Sequence, residues 1–569
     1  MKNKFFGLLT LFLLLLFSYK AVRPLFVPGF FPMHDDTQPA RVYEMARALA
    51  SGQFPVRWVP DLGYGFGYPL FNFYGPLPYY IGALFNLFGF DAIAGAKAMI
   101  IIGILLSVVT MYIFISSLFG NIAGVVISIL YLYAPYHAVN VYVRGAIGEL
   151  FAYGFLPLVV YGFYKIMQMK ERKQAIIIGA LGIAGILLSH NIIGMLTLMY
   201  IAVGLVFLFC FLLVQKQSLT PFFLCLLLIF LGIGLSSFFV LPAFFEKSYT
   251  RVAELTTGGS DFRNHFVYID QLWDSPWGYA GSAPGKIDGM SFKLGKVHVL
   301  LGFLSFPLIL FLYKKKKIRK DMLVLFVLLF CVLLSSLFLT LPVSGLIWEK
   351  ISWFAYVQYP WRHLNFILLG LCVLSSVLFL PLKRNGQLIL GGIILFFTLY
   401  LNTKYFVPRE YISVEEQDYI AARNLQGKIS RISDEYLPKE FIVPQEVKEK
   451  DISELTDNTS ILVKEFKGTP TDKTYTVEVK TNEDIITNTT FFPGWKVFID
   501  GSLGKITNQE GRIRIENVPA GTHKVRLVLT NTFVRILGNT ISFFSLFLLV
   551  YVSLFLGKMT IWQKGIQSK

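Results

Sequence analysis

The chain has 569 residues, 55% of them hydrophobic and 16% aromatic, with a mean hydropathy of +0.59, which excludes an ordinary water-soluble globule. A net charge of +17 would point to nucleic acid in a soluble protein. Here it gathers in short clusters between apolar runs, at Lys170 to Lys173, Lys314 to Lys320 and Lys383-Arg384. Cytoplasmic loops of a membrane protein carry such clusters, so no nucleic-acid partner is expected. The four cysteines, Cys210, Cys225, Cys331 and Cys372, lie inside apolar runs and have neither metal-ligand spacing nor a disulfide framework.

In chain order, Met1-Lys2-Asn3-Lys4 and the apolar run 5–19 resemble a signal-peptide core without a clear cleavage site. The run reads as a membrane anchor with a cytoplasmic N-terminus. Met33-His34-Asp35-Asp36-Thr37 then emerges on the outer face, as a paired-carboxylate motif or as a solvated loop with Asp36 as N-cap. Residues 39–50 predict a short helix lying on the membrane surface, with 42, 45, 46, 49 and 50 on its apolar face and Arg41, Glu44 and Arg47 on the other. Residues 54–69 interleave glycine and proline with aromatics, which argues against regular structure. Arg57, Trp58, Tyr64 and Tyr68 in this loop are candidates for stacking on or gripping a sugar, or for an interfacial aromatic belt.

Apolar segments at 5–22, 98–118, 121–136, 147–165, 175–189, 193–214, 220–242, 298–313, 322–341, 363–382, 387–402 and 532–557 predict about twelve spans with both termini cytoplasmic. The run 76–90 reads as an interfacial helix, because a crossing there would put the Lys170 cluster outside. This topology places Arg144, Glu149, His190, Trp361, Arg362 and His363 on the outer side. No ionisable residue falls in the middle of a span, which argues against an ion-coupled transporter.

From 403 to 531 charge rises and apolar residues begin to alternate. A helix is expected near 413–425, and strands at 474–480, 491–499, 512–518 and 523–529 predict a β-sandwich from about 460. The expected architecture is an α-helical polytopic domain at 1–402 with an outer loop at 23–97, an extracytoplasmic domain at 403–531, and a final helix and cytoplasmic tail at 532–569.

Taken together, certain motifs carry a resemblance. They are His34-Asp35, Gly52-x-Phe54-Pro55-x-Arg57-Trp58, Gly63-Tyr64-Gly65-x-Gly67-Tyr68-Pro69, Phe73-Tyr74-Gly75-Pro76-Leu77-Pro78-Tyr79, Arg144-Gly145-Ala146 with Glu149, Ser189-His190-Asn191, Gln358-Tyr359-Pro360-Trp361-Arg362 and Glu435-Tyr436-Leu437-Pro438. Their order resembles bacterial GT-C superfamily membrane proteins, both the YfhO-type and the "6-pyruvoyl-tetrahydropterin synthase-related" membrane proteins. Nothing in the chain resembles a soluble pterin synthase. The resemblance implies transfer of a sugar from a polyprenyl-phosphate carrier to a glycan, lipid or protein acceptor of the cell envelope, with inversion. It further implies Asp35 as base, Asp36 as helper, His34 as a tuning group and Glu149 as second acid. Arg144 and Arg362 would grip phosphate, His190 and His363 would assist, and a divalent cation (magnesium or manganese) would sit on Asp35, Asp36 and Glu149. For the arginines the alternative is an interfacial anchor, and for His190 a turn between helices. The competing function is a non-catalytic transporter or scaffold for envelope polymer or lipid.

Overall fold

A computed structural model describes residues 2–256 and 258–566. Among the described residues, eleven helices are long and apolar enough to cross a membrane, and the pair Asn121–Leu132 and Pro135–Val143, bent by 54°, makes a twelfth if it crosses as one unit. The 121–136 segment was expected as a single span. It breaks because Pro135 disfavours helical geometry in the residue before it. Ala134 is accordingly extended, with φ −63° and ψ 127°. The chain resumes as a short helical turn followed by a wider π turn, Val139–Val143.

A contact decides whether this bent pair is a crossing. Trp58 of the first loop meets Trp495 of the C-terminal domain edge to face, with ring centroids 5.2 Å apart. Two residues in contact lie on one side of a membrane, so the chain between them crosses it an even number of times. Ten candidate crossings lie between them with the bent pair counted and nine without it. Counting the pair makes that number even. The helix Leu77–Leu87 has 11 residues, about 16 Å at 1.5 Å per residue. That is too short for a hydrocarbon core of about 30 Å, in line with the surface placement expected for 76–90.

Residues 461–529 form two antiparallel sheets. Five strands, β1 (Ile461–Thr469), β2 (Asp472–Val479), β8 (Gly521–Leu529), β4 (Trp495–Ile499) and β5 (Ser502–Leu503), stand in the order β1-β2-β8-β4-β5, and β3 (Glu483–Thr490), β7 (Arg512–Val518) and β6 (Ile506–Gln509) stand in the order β3-β7-β6. Alternate residues such as Tyr475, Val477, Val525 and Leu527 fill the space between them. The Asp500-Gly501 turn has φ 50° and 86°, the left-handed pair that a two-residue hairpin requires. The strand expected from 491 begins at Trp495, because Pro493-Gly494 interrupts it. The helix expected near 413–425 is instead a broken run of short turns from Gln417 to Ile432.

The first loop is locked to this domain. Trp58 and Phe73 are part of the sandwich core, and the Thr490 amide donates to the Phe66 carbonyl at 3.0 Å. Covering of this kind corrects the expectation of a half-exposed surface helix. In Gln38–Ala50 the polar face is buried as well, with Arg41 3% and Glu44 0% exposed, because residues 403–459 pack against it.

A buried ion pair ties the last span to the loop. Arg535 donates to Glu246 Oε2 through Nε at 3.1 Å and Nη2 at 3.0 Å, and the same oxygen accepts from Asn72 Nδ2 at 2.8 Å. Removing one partner strands a buried charge. Arg535→Ala is expected to lower stability by about 3–5 kcal/mol, read as a large fall in Tm of the purified protein at a fixed scan rate.

Candidate functional site

The acidic motif is held by backbone geometry. The amides of His34 and Asp35 donate to the carbonyls of Val143 and Arg144, each at 3.0 Å. Gln38 Nε2 donates to the Gly145 carbonyl at 2.9 Å. Gly145 sits at φ +64°, and an added Cβ there would stand 2.1 Å from Met33 Sδ, so only glycine lets the two segments close up. Asp35 is half-buried, and no described side chain makes a hydrogen bond or ion pair with its carboxylate. Asp36 is occupied: Tyr419 donates its hydroxyl at 2.8 Å and Lys428 lies at 3.6 Å. His34 is exposed and meets the Tyr279 carbonyl at 3.1 Å through Nε2. Burial holds its pKa below the ordinary histidine value, with that carbonyl acting in the opposite sense. The 243–297 loop therefore reaches over the motif.

Behind this loop lies a buried cluster around Glu149. The sequence put Glu149 on an outer loop. It stands instead in the first turn of the span Ile147–Met167, 0% exposed. Oε1 accepts from Tyr136 at 2.6 Å and from Asn365 Nδ2 at 2.8 Å. Oε2 accepts from Arg144 Nη1 at 2.9 Å, and Arg362 Nε stands 3.8 Å away. Arg144 also donates to Asn140 Oδ1 at 2.6 Å and lies 4.3 Å over the Trp361 ring. Arg362 donates to the Val357 carbonyl and Gln358 Oε1, and its Nε has no hydrogen-bond partner. Two guanidinium groups thus share one carboxylate, leaving a net positive charge beside Asp35. Both oxygens of Glu149 are thus engaged by neighbouring donors.

The other candidates divide. His190, half-buried, caps the next helix by accepting from the Ile193 amide at 3.2 Å, the turn role weighed for it. His363 meets the Tyr200 hydroxyl at 2.9 Å through Nδ1. Arg57 is spent on Asn72 Oδ1, the Phe238 carbonyl and Asn539 Oδ1, and Trp58 on the sandwich core. Tyr68 is 0% exposed, and its hydroxyl donates to the Ser433 carbonyl at 2.8 Å. Tyr64 stacks on Phe441 at 6.4 Å and edges a cleft of about 280 Å³ with Lys450 and Arg512.

Sequence reading missed a second polar group beside Asp35. Arg41 packs 4.1 Å over the Tyr74 ring and donates through Nη2 to Ser433 Oγ at 2.9 Å. Its Nε and Nη1 are buried without partners. Glu435 is half-buried and within electrostatic reach of both Arg41 and Asp35. Burial pushes its carboxyl up to about 7, with Arg41 opposing the shift. The signal available in the sequence was a charged residue in a helix whose polar side had been assigned to water.

The three carboxylates proposed as metal ligands do not converge. Among the described residues no group of three or more histidine, cysteine, aspartate or glutamate side chains is placed to hold a cation. Glu149 and Asp36 already have side-chain partners.

Two outcomes follow. Glu149→Ala leaves Arg144 and Arg362 facing each other without a counter-charge and is expected to cost about 3–5 kcal/mol of stability, again read by thermal unfolding. Glu435 brings a pH dependence. Its pKa is raised on folding, so between about 4.5 and 7 the unfolded chain ionises first and stability falls as pH rises through that window. Glu435→Gln removes this slope, and its Tm relative to wild type should rise between pH 5 and pH 8.

Comparison with known proteins sets this geometry in a family. An uncharacterized protein of Lactococcus lactis subsp. cremoris is 26% identical over 251 residues, covering 41% of this chain and 39% of the relative. The oligosaccharyltransferase of Archaeoglobus fulgidus in its apo form is similar with a TM-score of 0.45 at 10% identity, over 70% of this chain and 55% of that one. Its complex with Zn and sulfate gives 0.34 at 14% identity, over 70% and 53%. The chain thus spans less than two thirds of the length of these proteins. Residues 71–405, more than half of the chain, match the family described as 6-pyruvoyl-tetrahydropterin synthase related domain, membrane protein. The chain belongs to this family of membrane proteins.

Proposed function

We propose that the protein is a GT-C-type glycosyltransferase of the cytoplasmic membrane, moving a sugar from a polyprenyl-phosphate carrier to a cell-envelope glycan, lipid or protein on the outer face, with inversion. The observation that carries this reading is the juxtaposition of a half-buried carboxylate, Asp35, with two buried arginines that share a single counter-ion. Glycosyl transfer from a phosphate needs both parts. Asp35 takes the proton of the acceptor hydroxyl as its oxygen bonds to the anomeric carbon. The bond from that carbon to the phosphate oxygen breaks on the opposite face, and the electron pair leaves with the phosphate. Surplus charge on Arg144 and Arg362 stabilises that leaving group, fixed in place before the reaction by Glu149, Asn365 and the Trp361 and Tyr359 rings. Direct displacement without a covalent sugar-enzyme intermediate inverts the anomeric centre. The basic clusters, all on loops of one parity, support cytoplasmic termini.

The test uses purified protein in lipid with radiolabelled polyprenyl-phosphate sugars and envelope extract. Wild type is expected to transfer label, and Asp35→Asn to lose at least about a hundredfold in rate while still binding the carrier. Transfer should persist with a chelator present; its loss would reinstate the cation expected from the resemblance. Carrier binding without turnover across the panel would favour the transporter or scaffold reading.

A further inference from the structure

At the end of the bundle away from Asp35, four spans leave a cleft that the proposed transfer does not use. Glu149 stands in the first turn of the span Ile147–Met167. Met167 closes that span about 27 Å further along, at 1.5 Å per residue. There it meets the last turns of Asn191–Val214 and the first turns of Thr220–Phe245 and Lys320–Thr340 around a cleft of about 250 Å³. Buried Leu208, Leu212 and Val324 back the cleft, and half-buried Met167 and Phe211 present the rest of its apolar surface.

The polar lining is unbalanced toward positive charge. Asp321 is its one carboxylate and is already engaged, by Arg319 Nε at 3.0 Å and by Gln168 Nε2 at 2.8 Å. Lys320 lines the same cleft, is exposed, and makes no ion pair with a described carboxylate. Its Nζ donates to Gln215 Oε1 and lies 5.5 Å from the Phe211 ring centroid, which leaves donors of the ammonium for a ligand. Lys216, between Gln215 and the lining residue Gln217, is likewise exposed and without an ion pair among the described residues. The exposed run Lys314 to Lys317 leads directly into this corner.

An apolar wall at the end of membrane spans, rimmed by unpaired lysines, asks for a molecule with a chain and an anion. A soluble phosphate would gain nothing from Met167 and Phe211. A zwitterionic lipid carries its own cation next to the phosphate, and that cation would face Lys320 and Lys216. An acidic headgroup brings no such cation, and basic pockets between spans select acidic lipids for this reason.

We infer that this cleft is a binding site for an acidic glycerophospholipid of the leaflet away from Asp35, with an acyl chain against Met167 and Phe211 and the headgroup phosphate on Lys320 beside Lys216. The lipid would fill the gap between two spans that polar contacts already join, Tyr200 to Ser336 at 2.7 Å and Lys320 to Gln215. The site does not depend on the glycosyltransferase reading, and its test needs no turnover.

Full-length protein is stripped of lipid in a neutral detergent and titrated with phosphatidylglycerol or phosphatidylcholine of identical chains, followed by native mass spectrometry. The first phosphatidylglycerol is expected to bind about fivefold more tightly than phosphatidylcholine or better. Lys320→Gln should bring the two lipids within about twofold of each other. The double variant Lys383→Gln and Arg384→Gln, on another loop at the same end, should leave the preference intact, which separates a site from general positive charge. On the unmodified protein, phosphatidylglycerol with a diazirine in its chain should label residues 208–217 and 320–324 above the other span ends. Unlabelled phosphatidylglycerol should suppress that labelling, and glycerol phosphate should not. Equal affinity for the two lipids, an unchanged preference in Lys320→Gln, an equal loss in the double variant, labelling spread evenly over the span ends, or suppression by glycerol phosphate overturns the site.

Discussion

The site depends on one buried carboxylate. Glu149 sits fully desolvated at the start of a span, where an unpaired charge would be prohibitive. Its two oxygens draw in Arg144 and Asn365, while Arg362 and Tyr136 complete the surround. These residues come from the bent 121–143 segment and its exit, from the span at 147 and from the span at 360. One acid therefore sets the relative position of three membrane segments and the backbone carbonyls on which His34 and Asp35 hang. The cost of burying Glu149 is offset by that network, and the network is what holds Asp35 in place.

A second ring of constraints closes from the other side. The first loop is covered by 403–459 and by the sandwich, with Trp58 and Phe73 sunk into the latter's core. Glu246 and Arg535 tie the final span to Asn72 of the loop. Asp35 thus lies between a membrane cluster that organises positive charge and the segment 403–459 packed on the first loop. Chemistry that requires a cation on one side of a reacting carbon and a base on the other finds both in fixed positions, which is the sense in which such a site is preorganised.

How far the sequence could be read depended on the range of the interactions. Spans were legible because hydropathy is local: a run without charges has few alternatives to a membrane. The alternation of Thr474 to Lys480 and the Asp500-Gly501 turn were legible for the same reason. The break inside the 121–136 span was not legible, since Pro135 marks a break but not where the chain goes next. Arg41 and Glu44 were assigned to water because an amphipathic pattern cannot reveal what covers its polar face; residues nearly four hundred positions later do so. Arg144, Glu149 and Arg362, singled out separately in the sequence, do come together, while Tyr136 and Asn365 at the Glu149 oxygens were not foreseen. Trp58 packs into the core of the C-terminal sandwich and Arg57 bonds to Asn72, Phe238 and Asn539, contacts too distant in sequence to be read from it.

The interlock of Trp58 with Trp495 also imposes an order of assembly. The loop bearing Asp35 is made and translocated early, hundreds of residues before the sandwich that completes its surroundings. Until the last strands have crossed and folded, Trp58 and Phe73 lack their core, and the polar face of Gln38–Ala50 lies open to water. The surroundings of Asp35 are therefore completed last although Asp35 itself is synthesised early. A chain truncated before the sandwich would carry every membrane segment but the last and still leave the centre open.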